Sequence, residues 1–248
     1  MQTAAEKFEY KEIDREGLET LDVIASADKF NEWMFDTIKP HCKGTILEIG
    51  SGTGNISRFF LRDGFAVMLS DIRKQYCRIL GETFNGNTNL LGVQLIDLVL
   101  PDFDVKHKDL IGNFDTVVAL NVVEHIEDDL LAIANAKKLL SKKGTLIVLV
   151  PAYQWLYNRL DKELYHFCRY TKGTLGKLFL KNDLAIKTQL YFNALGMAGW
   201  IVSGKMLRKK IIPRTQMSFY NKIVPVARLL DVTLFRQMGL SVIVVGEK

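Results

Sequence analysis

Glu48, Gly50, Gly52, Gly54 and Asp71 are the residues whose types and spacing could do chemistry. The run Ile46-Leu-Glu48-Ile-Gly50-Ser-Gly52-Thr-Gly54 begins as an apolar strand and ends as a glycine turn. Glycine has no Cβ, so such a turn lets backbone approach a ligand closely. Asp71 follows Gly50 by 21 residues and closes a second apolar run, Phe65 to Ser70. An acid about that far along accepts hydrogen bonds from ribose hydroxyls. The expectation is a pocket for a nucleoside-bearing ligand. A dinucleotide turn reads GxGxxG, but here Asn55 stands where the third glycine would fall. A carboxylate at position 48 suits a ligand with an amine or positive charge and repels a pyrophosphate.

Several strands and helices must bring these residues together. Apolar residues at helical spacing predict a helix over 28–39, stopped by Pro40. Short apolar runs predict strands at 45–49, 65–70, 90–96, 115–120, 145–150, 185–192 and 240–246. Helices are expected at 54–63, 73–82 and 127–140, with Gly64 capping the first. Residues 152–182 read as loop and helix, and 193–236 as an insertion with helical pieces. Strands alternating with helices imply an α/β fold with a mostly parallel sheet, covered on both faces. Right-handed crossovers put the strand C-terminal ends on one edge, where ligands bind.

The ordered motifs resemble the class I S-adenosylmethionine-dependent methyltransferases. The matching residues are Leu47 to Gly54, Asp71, Asp97-Leu98, Phe114-Asp115, Asn121-Val-Val-Glu124-His125, and Lys143-Gly144-Thr145 leading into strand five. They span roughly residues 29–152. The resemblance implies a Rossmann-like seven-stranded sheet whose last strand runs antiparallel. It implies one methyltransferase domain over 1–248, with a helical lead-in (1–44), a cofactor-binding core (45–150), a substrate lid and basic insertion (151–236) and a last strand (240–246). It implies S-adenosylmethionine as cofactor, leaving as S-adenosylhomocysteine. Gly50, Ser51, Gly52 and Gly54 would pass along its amino-acid part, with Glu48 orienting the turn. Asp71 would bind the ribose, Ile72 and Leu98 would flank the adenine, Asp97 would hold the adenine amine, and Asn121 would stand near the methionine.

Methyl transfer needs mainly an aligned nucleophile, and a base helps when that nucleophile is a hydroxyl or protonated amine. His125 is a candidate base, or a histidine packed at a helix start. After strand five come Pro151-Ala-Tyr153-Gln-Trp155-Leu-Tyr157, Asp161 and His166-Phe-Cys-Arg169-Tyr170-Thr171. This resembles a bacterial subgroup associated with cell-surface glycan, lipid or secondary-metabolite pathways, although one arginine of its usual His-x-Arg-Arg-Tyr is replaced by Cys168. His166 and Tyr153 join His125 as catalytic candidates. Alternatively, Asp161 pairs with Arg169 or His166 to fix the lid, and Tyr153, Trp155 and Tyr157 form its core. The expected activity is methyl transfer to O or N of a small metabolite or cell-envelope precursor. The alternatives are a non-catalytic binding module and an RNA methyltransferase using the basic 187–228 segment.

Composition sets outer bounds. Of 248 residues, 48% are hydrophobic and 25% charged, ordinary values for a globular chain. Cys42, Cys77 and Cys168 show no metal-ligand spacing, so no metal is expected, and reduced thiols in a cytoplasmic protein are. The first ten residues show no apolar signal-peptide core, and no apolar run reaches membrane-spanning length. The net charge of +5 is uneven: eight basic residues and no acid lie between Asp183 and Asp231. That stretch reads as a solvated basic face, as a surface for an acidic substrate or membrane contacted through 194–214, or, least in keeping with its few aromatics, as a nucleic-acid site.

Overall fold

The computed structural model describes residues 22–206, 214–234 and 236–248. A helical turn at 22–25 precedes α1 (Asp28–Ile38) and β1 (Ile46–Ile49). There follow α2 (Ser57–Arg62), β2 (Val67–Asp71), α3 (Lys74–Thr83), β3 (Leu90–Leu95), α4 (Phe103–Lys106) and β4 (Phe114–Leu120). Next come α5 (Asp129–Leu139), β5 (Leu140–Pro151), α6 (Arg159–Glu163), α7 (Lys172–Lys181) and β6 (Ala185–Phe192). The last are α8 (Ala194–Trp200), a π-helical turn (Ile201–Met206), α9 (Arg214–Thr233) and β7 (Ser241–Glu247).

Seven strands form one sheet in the order β3-β2-β1-β4-β5-β7-β6. The pairs from β3 across to β5 are parallel, and β7 runs antiparallel to both β5 and β6. This is the Rossmann-like α/β sheet expected from the motifs. Side chains alternate across its two faces, as strand geometry requires. Leu47, Val117, Ala119, Leu146, Val148 and Val244 pack on one side, with residues of α5 and α7. Ile46, Val118, Ile147, Leu149, Ile243 and Val245 pack on the other, with residues of α1, α2 and α9. Burying a side chain of this kind stabilises the fold by ~1.5–3 kcal/mol, so the central strands are rigid and hold their C-terminal ends in fixed register.

Two long-range contacts close α1 and α9 over the sheet. The Phe30 backbone N–H donates to Asn221 Oδ1 (3.2 Å), so a side chain of α9 caps the start of α1. Buried Asp231 accepts from the Asn193 and Ala194 backbone N–H groups (2.6 and 2.7 Å), tying the end of α9 to the start of α8. Asn193 is left-handed (φ 70°) and its own side chain caps α8.

Two boundaries differ from the sequence expectation. Helix α2 starts at Ser57 rather than near 54, because Gly54 has φ +87° and cannot join a right-handed helix. Strand β5 begins at Leu140 rather than 145, with a register shift between Leu140 and Thr145 and Lys143 at φ 63°. Within the expected insertion, residues 214–233 form one long helix that includes Pro225. The expectations for 1–21 and for Arg208, Lys209 and Lys210 fall outside the described residues.

Candidate active site

A cleft of about 510 Å³ opens at the C-terminal ends of β1, β2 and β4. That volume lies within the ~300–1,000 Å³ usual for small-molecule and cofactor sites. At its floor the turn after β1 uses left-handed glycines, Gly50 (φ 70°) and Gly52 (φ 54°). A Cβ on Gly50 would sit 2.4 Å from Val122 Cγ2, so the turn tolerates no side chain there. Asp71, at the end of β2, is buried and grips the turn: the Gly52 N–H donates to Oδ2 (3.1 Å) and the Arg73 N–H to Oδ1 (2.9 Å). Each oxygen keeps a lone pair for a ligand hydroxyl. Burial raises its carboxyl pKa, against the pull of those amides.

Glu48, on β1, is only 4% exposed, and its carboxyl receives a short hydrogen bond from the Ser57 hydroxyl. Burial outweighs that bond and pushes its pKa up to about 7. Ser51, Ile72, Asp97, Leu98 and Asn121 also line the cleft. Asp97 Oδ1 accepts from the Val99 N–H (2.9 Å) in a local turn and caps no helix. Asn121 holds φ 54°, a conformation asparagine tolerates better than most residues.

Two predicted residues stand apart from this group. Gly54 does not line the cleft; its missing Cβ makes room for Phe84, whose ring would lie 2.5 Å away. Its role is packing of the turn against α3. Tyr153 is not in the cleft lining either: its ring stacks on Tyr191 (4.8 Å), and Trp155 lies 5.8 Å off. Trp155 is 55% exposed, so of these two lid aromatics only Tyr153 packs inward, against β6.

His125 and His166 do meet in the cleft, with ring centroids 4.7 Å apart. Asp161 is fully buried and holds both of its expected partners at once. Its Oδ1 lies 2.9 Å from His166 Nδ1 and 2.7 Å from Arg169 Nε. Burial alone would raise its pKa, but His166 and Arg169 hold it below the usual carboxylate value. Arg169 also donates to the Ala152 carbonyl (3.1 Å) and lies over the Trp200 ring (4.6 Å). Burial pushes the His125 pKa down to about 3, with His166 and Arg73 adding to the shift.

Glu124 was not a sequence candidate, yet it is fully buried in the same lining, and burial pushes its pKa up to about 8. Neither of its carboxylate oxygens has a hydrogen-bond partner among the described residues. Ligand atoms of Glu124, His125 and His166 all lie within 4.8 Å of one another. Also missed was the cover of the cleft, which includes Phe30, Asn31 and Met34 of α1 and Met217 and Tyr220 of α9. The apolar spacing of 28–39 showed a buried helix but not which cavity it would close.

A family profile described as a methyltransferase domain matches residues 22–189. Solved structures share the fold at low identity. A SAM-dependent methyltransferase from Archaeoglobus fulgidus is 12% identical, with a TM-score of 0.57 over 88% of this chain and 94% of that one. One from Aquifex aeolicus is 13% identical, with a TM-score of 0.54 over 72% and 93%. Phosphoethanolamine N-methyltransferase 2 of Haemonchus contortus, solved with S-adenosyl-L-methionine, is 13% identical, with a TM-score of 0.55 over 83% of this chain and 48% of that one. No curated protein matches by sequence. The profile spans well over half of the chain, which therefore belongs to the methyltransferase-domain family.

Proposed function

We propose that this chain binds S-adenosylmethionine in the cleft and transfers its methyl group to an oxygen or nitrogen of a small metabolite or cell-envelope precursor. The observation that carries the reading is the convergence of the left-handed Gly50–Gly52 turn, buried Asp71 and buried Glu48 on one cleft of cofactor size. The residues fit the group. Asp71 keeps lone pairs for ribose hydroxyls, Asp97 for an adenine amine, and Ile72 and Leu98 offer apolar contact for the ring. Glu48 is a buried acid whose partners are serine hydroxyls, suited to an ammonium group.

When bound, the cofactor supplies an electrophilic methyl on a sulfonium whose leaving group is a neutral thioether, so no general acid is needed. The chain must orient the acceptor and take up its proton. His125 and His166 line the same cleft and are the candidates to orient the acceptor. Asp161 engages Nδ1 of His166 and leaves Nε2 with a lone pair for a proton or a ligand.

Calorimetry with S-adenosylmethionine and S-adenosylhomocysteine tests the reading. Micromolar binding is expected, and Asp71→Ala should weaken it at least ~10-fold, the cost of losing a buried hydrogen-bonded acid. No binding of either compound sinks the proposal. Labelled cofactor incubated with extracts, followed by mass spectrometry, then identifies the acceptor.

The exposed face of α9 supports a second element, action at an anionic lipid surface. Phe219, Val226 and Leu229 are 63%, 57% and 64% exposed, with Lys222 exposed on the same helical face. They lie in the acid-free stretch before Asp231, a composition suited to interfacial contact. Among the described residues no helix is long and apolar enough to cross a membrane.

A further inference from the structure

We infer that Glu124, His125 and His166 form a divalent-cation site in the cleft. The inference rests on the methyl-donor reading above and deepens it, since it places a cation in the same cleft.

The three side chains offer one carboxylate and two imidazoles, with ligand atoms within 4.8 Å of one another. Metal–ligand bonds of ~2.0–2.2 Å need ligand atoms closer than that, and ångström-scale side-chain movement supplies the difference. The independent observation is Glu124 itself. It is 0% exposed, yet neither oxygen accepts a hydrogen bond among the described residues. A buried unpaired acid is costly, and a cation between it and the two rings gives it a partner. Asp161 shows that this region satisfies a buried carboxylate where no ligand is needed, through His166, Arg169 and the Asn158 N–H.

The surroundings of both histidines suit ligation. A metal-bound histidine typically donates its other ring N–H to a carboxylate or backbone carbonyl, which fixes the tautomer. His166 has Asp161 on Nδ1, which leaves Nε2 for a metal. The Leu164 and Tyr165 backbones engage the His125 ring. Two imidazoles and one carboxylate suit Mn²⁺, Fe²⁺, Co²⁺ or Zn²⁺ better than Ca²⁺, which prefers an all-oxygen shell. Three protein ligands leave coordination positions open toward the cleft.

The test titrates the purified full chain with Co²⁺ alone, following the visible d–d absorption, and with Mn²⁺ alone, following electron paramagnetic resonance. One saturable equivalent is expected. Glu124→Gln keeps the shape but removes the charge, and should weaken that binding at least ~10-fold, the lower end of what supporting residues of metal sites contribute. His41→Gln, on the 3-10 turn after α1, should leave it unchanged. Absence of a saturable site, or equal binding by Glu124→Gln, overturns the cation site. S-adenosylhomocysteine binding is measured on the same samples: if it binds and the cation does not, only this inference falls. If the cation binds and S-adenosylhomocysteine does not, the methyl-donor reading falls and the cation site stands.

Discussion

Replacing Glu48 by Gln tests how a buried acid on β1 couples folding to ligand charge. Burial raises its pKa from 4.5 to about 7, against the Ser57 hydrogen bond. Between those values the folded chain holds the proton more tightly than the unfolded chain does. Stability therefore falls as pH rises through about 7, the reverse of the usual carboxylate effect. At ~1.4 kcal/mol per pH unit the interval is worth about 3 kcal/mol, fully lost by about pH 8. Glutamine still accepts from Ser57 but cannot ionise. Urea unfolding should find Glu48→Gln close to the native chain near pH 5 and more stable by up to about 3 kcal/mol at pH 8. A cationic ligand favours the ionised form, so S-adenosylhomocysteine, through its amine, should bind the native chain about tenfold more tightly at pH 8 than at pH 6. The variant should show a flat profile over that range in calorimetry. Superimposable pH profiles for the two proteins would refute the reasoning, because the acid would then be neither raised in pKa nor coupled to the ligand.

Asp161→Ala leaves Arg169 buried without its counter-charge and His166 without its anchor, so unfolding stability should drop by about 3–5 kcal/mol, read by urea or thermal denaturation. Gly54→Ala places a Cβ 2.5 Å from the Phe84 ring at a left-handed position, which should cost about 1–3 kcal/mol. Since Gly54 does not line the cleft, its cofactor affinity, measured below the melting transition, should stay within about twofold of the native value, a 0.4 kcal/mol change by the affinity relation. The double change Phe219→Ser and Leu229→Ser removes two exposed apolar groups from α9. It should leave the melting temperature unchanged and abolish co-sedimentation with anionic vesicles, and a native chain that fails to co-sediment refutes the lipid-surface element.

The sheet was legible because its strands are apolar runs, bounded by turns and acids. The run 185–192 matches β6, and Asp71 and Asp97 stand at the strand ends where their positions implied. What escaped the sequence is what tertiary contact decides. A Glu beside a His after a strand reads as a structural or capping acid, so nothing marked Glu124 as fully buried in the cleft lining. Asp161, His166 and Arg169 are spaced for alternative pairings, and only the fold shows that one carboxylate serves both partners. Tyr153 looked catalytic from its place after β5, but its stacking on Tyr191 of β6 turns it away from the cleft. Residues 193–236 read only as helical pieces, and tertiary contact sets the length of α9, which runs through Pro225 and packs Val224 and Ala227 against the core.

Three buried acids in one cleft separate structural from ligand-directed charge. Asp161 has an arginine, a histidine and a backbone amide, and it organises the lid whether or not a ligand is present. Glu48 has serine hydroxyls as partners and no counter-charge among its contacts. Glu124 has no side-chain partner among the described residues. Burial is common to all three, so the difference in partners needs its own cause. The elements that satisfy Asp161 lie close to Glu124 yet leave it open. Leaving a carboxylate unpaired lowers the stability of the ligand-free fold, and a ligand that binds only the folded state returns that stability by mass action. An ammonium group at Glu48 and a metal ion at Glu124 would each meet a separate counter-charge in the cleft. On this account two cationic ligands can occupy one pocket, because the fold provides each with its own acid.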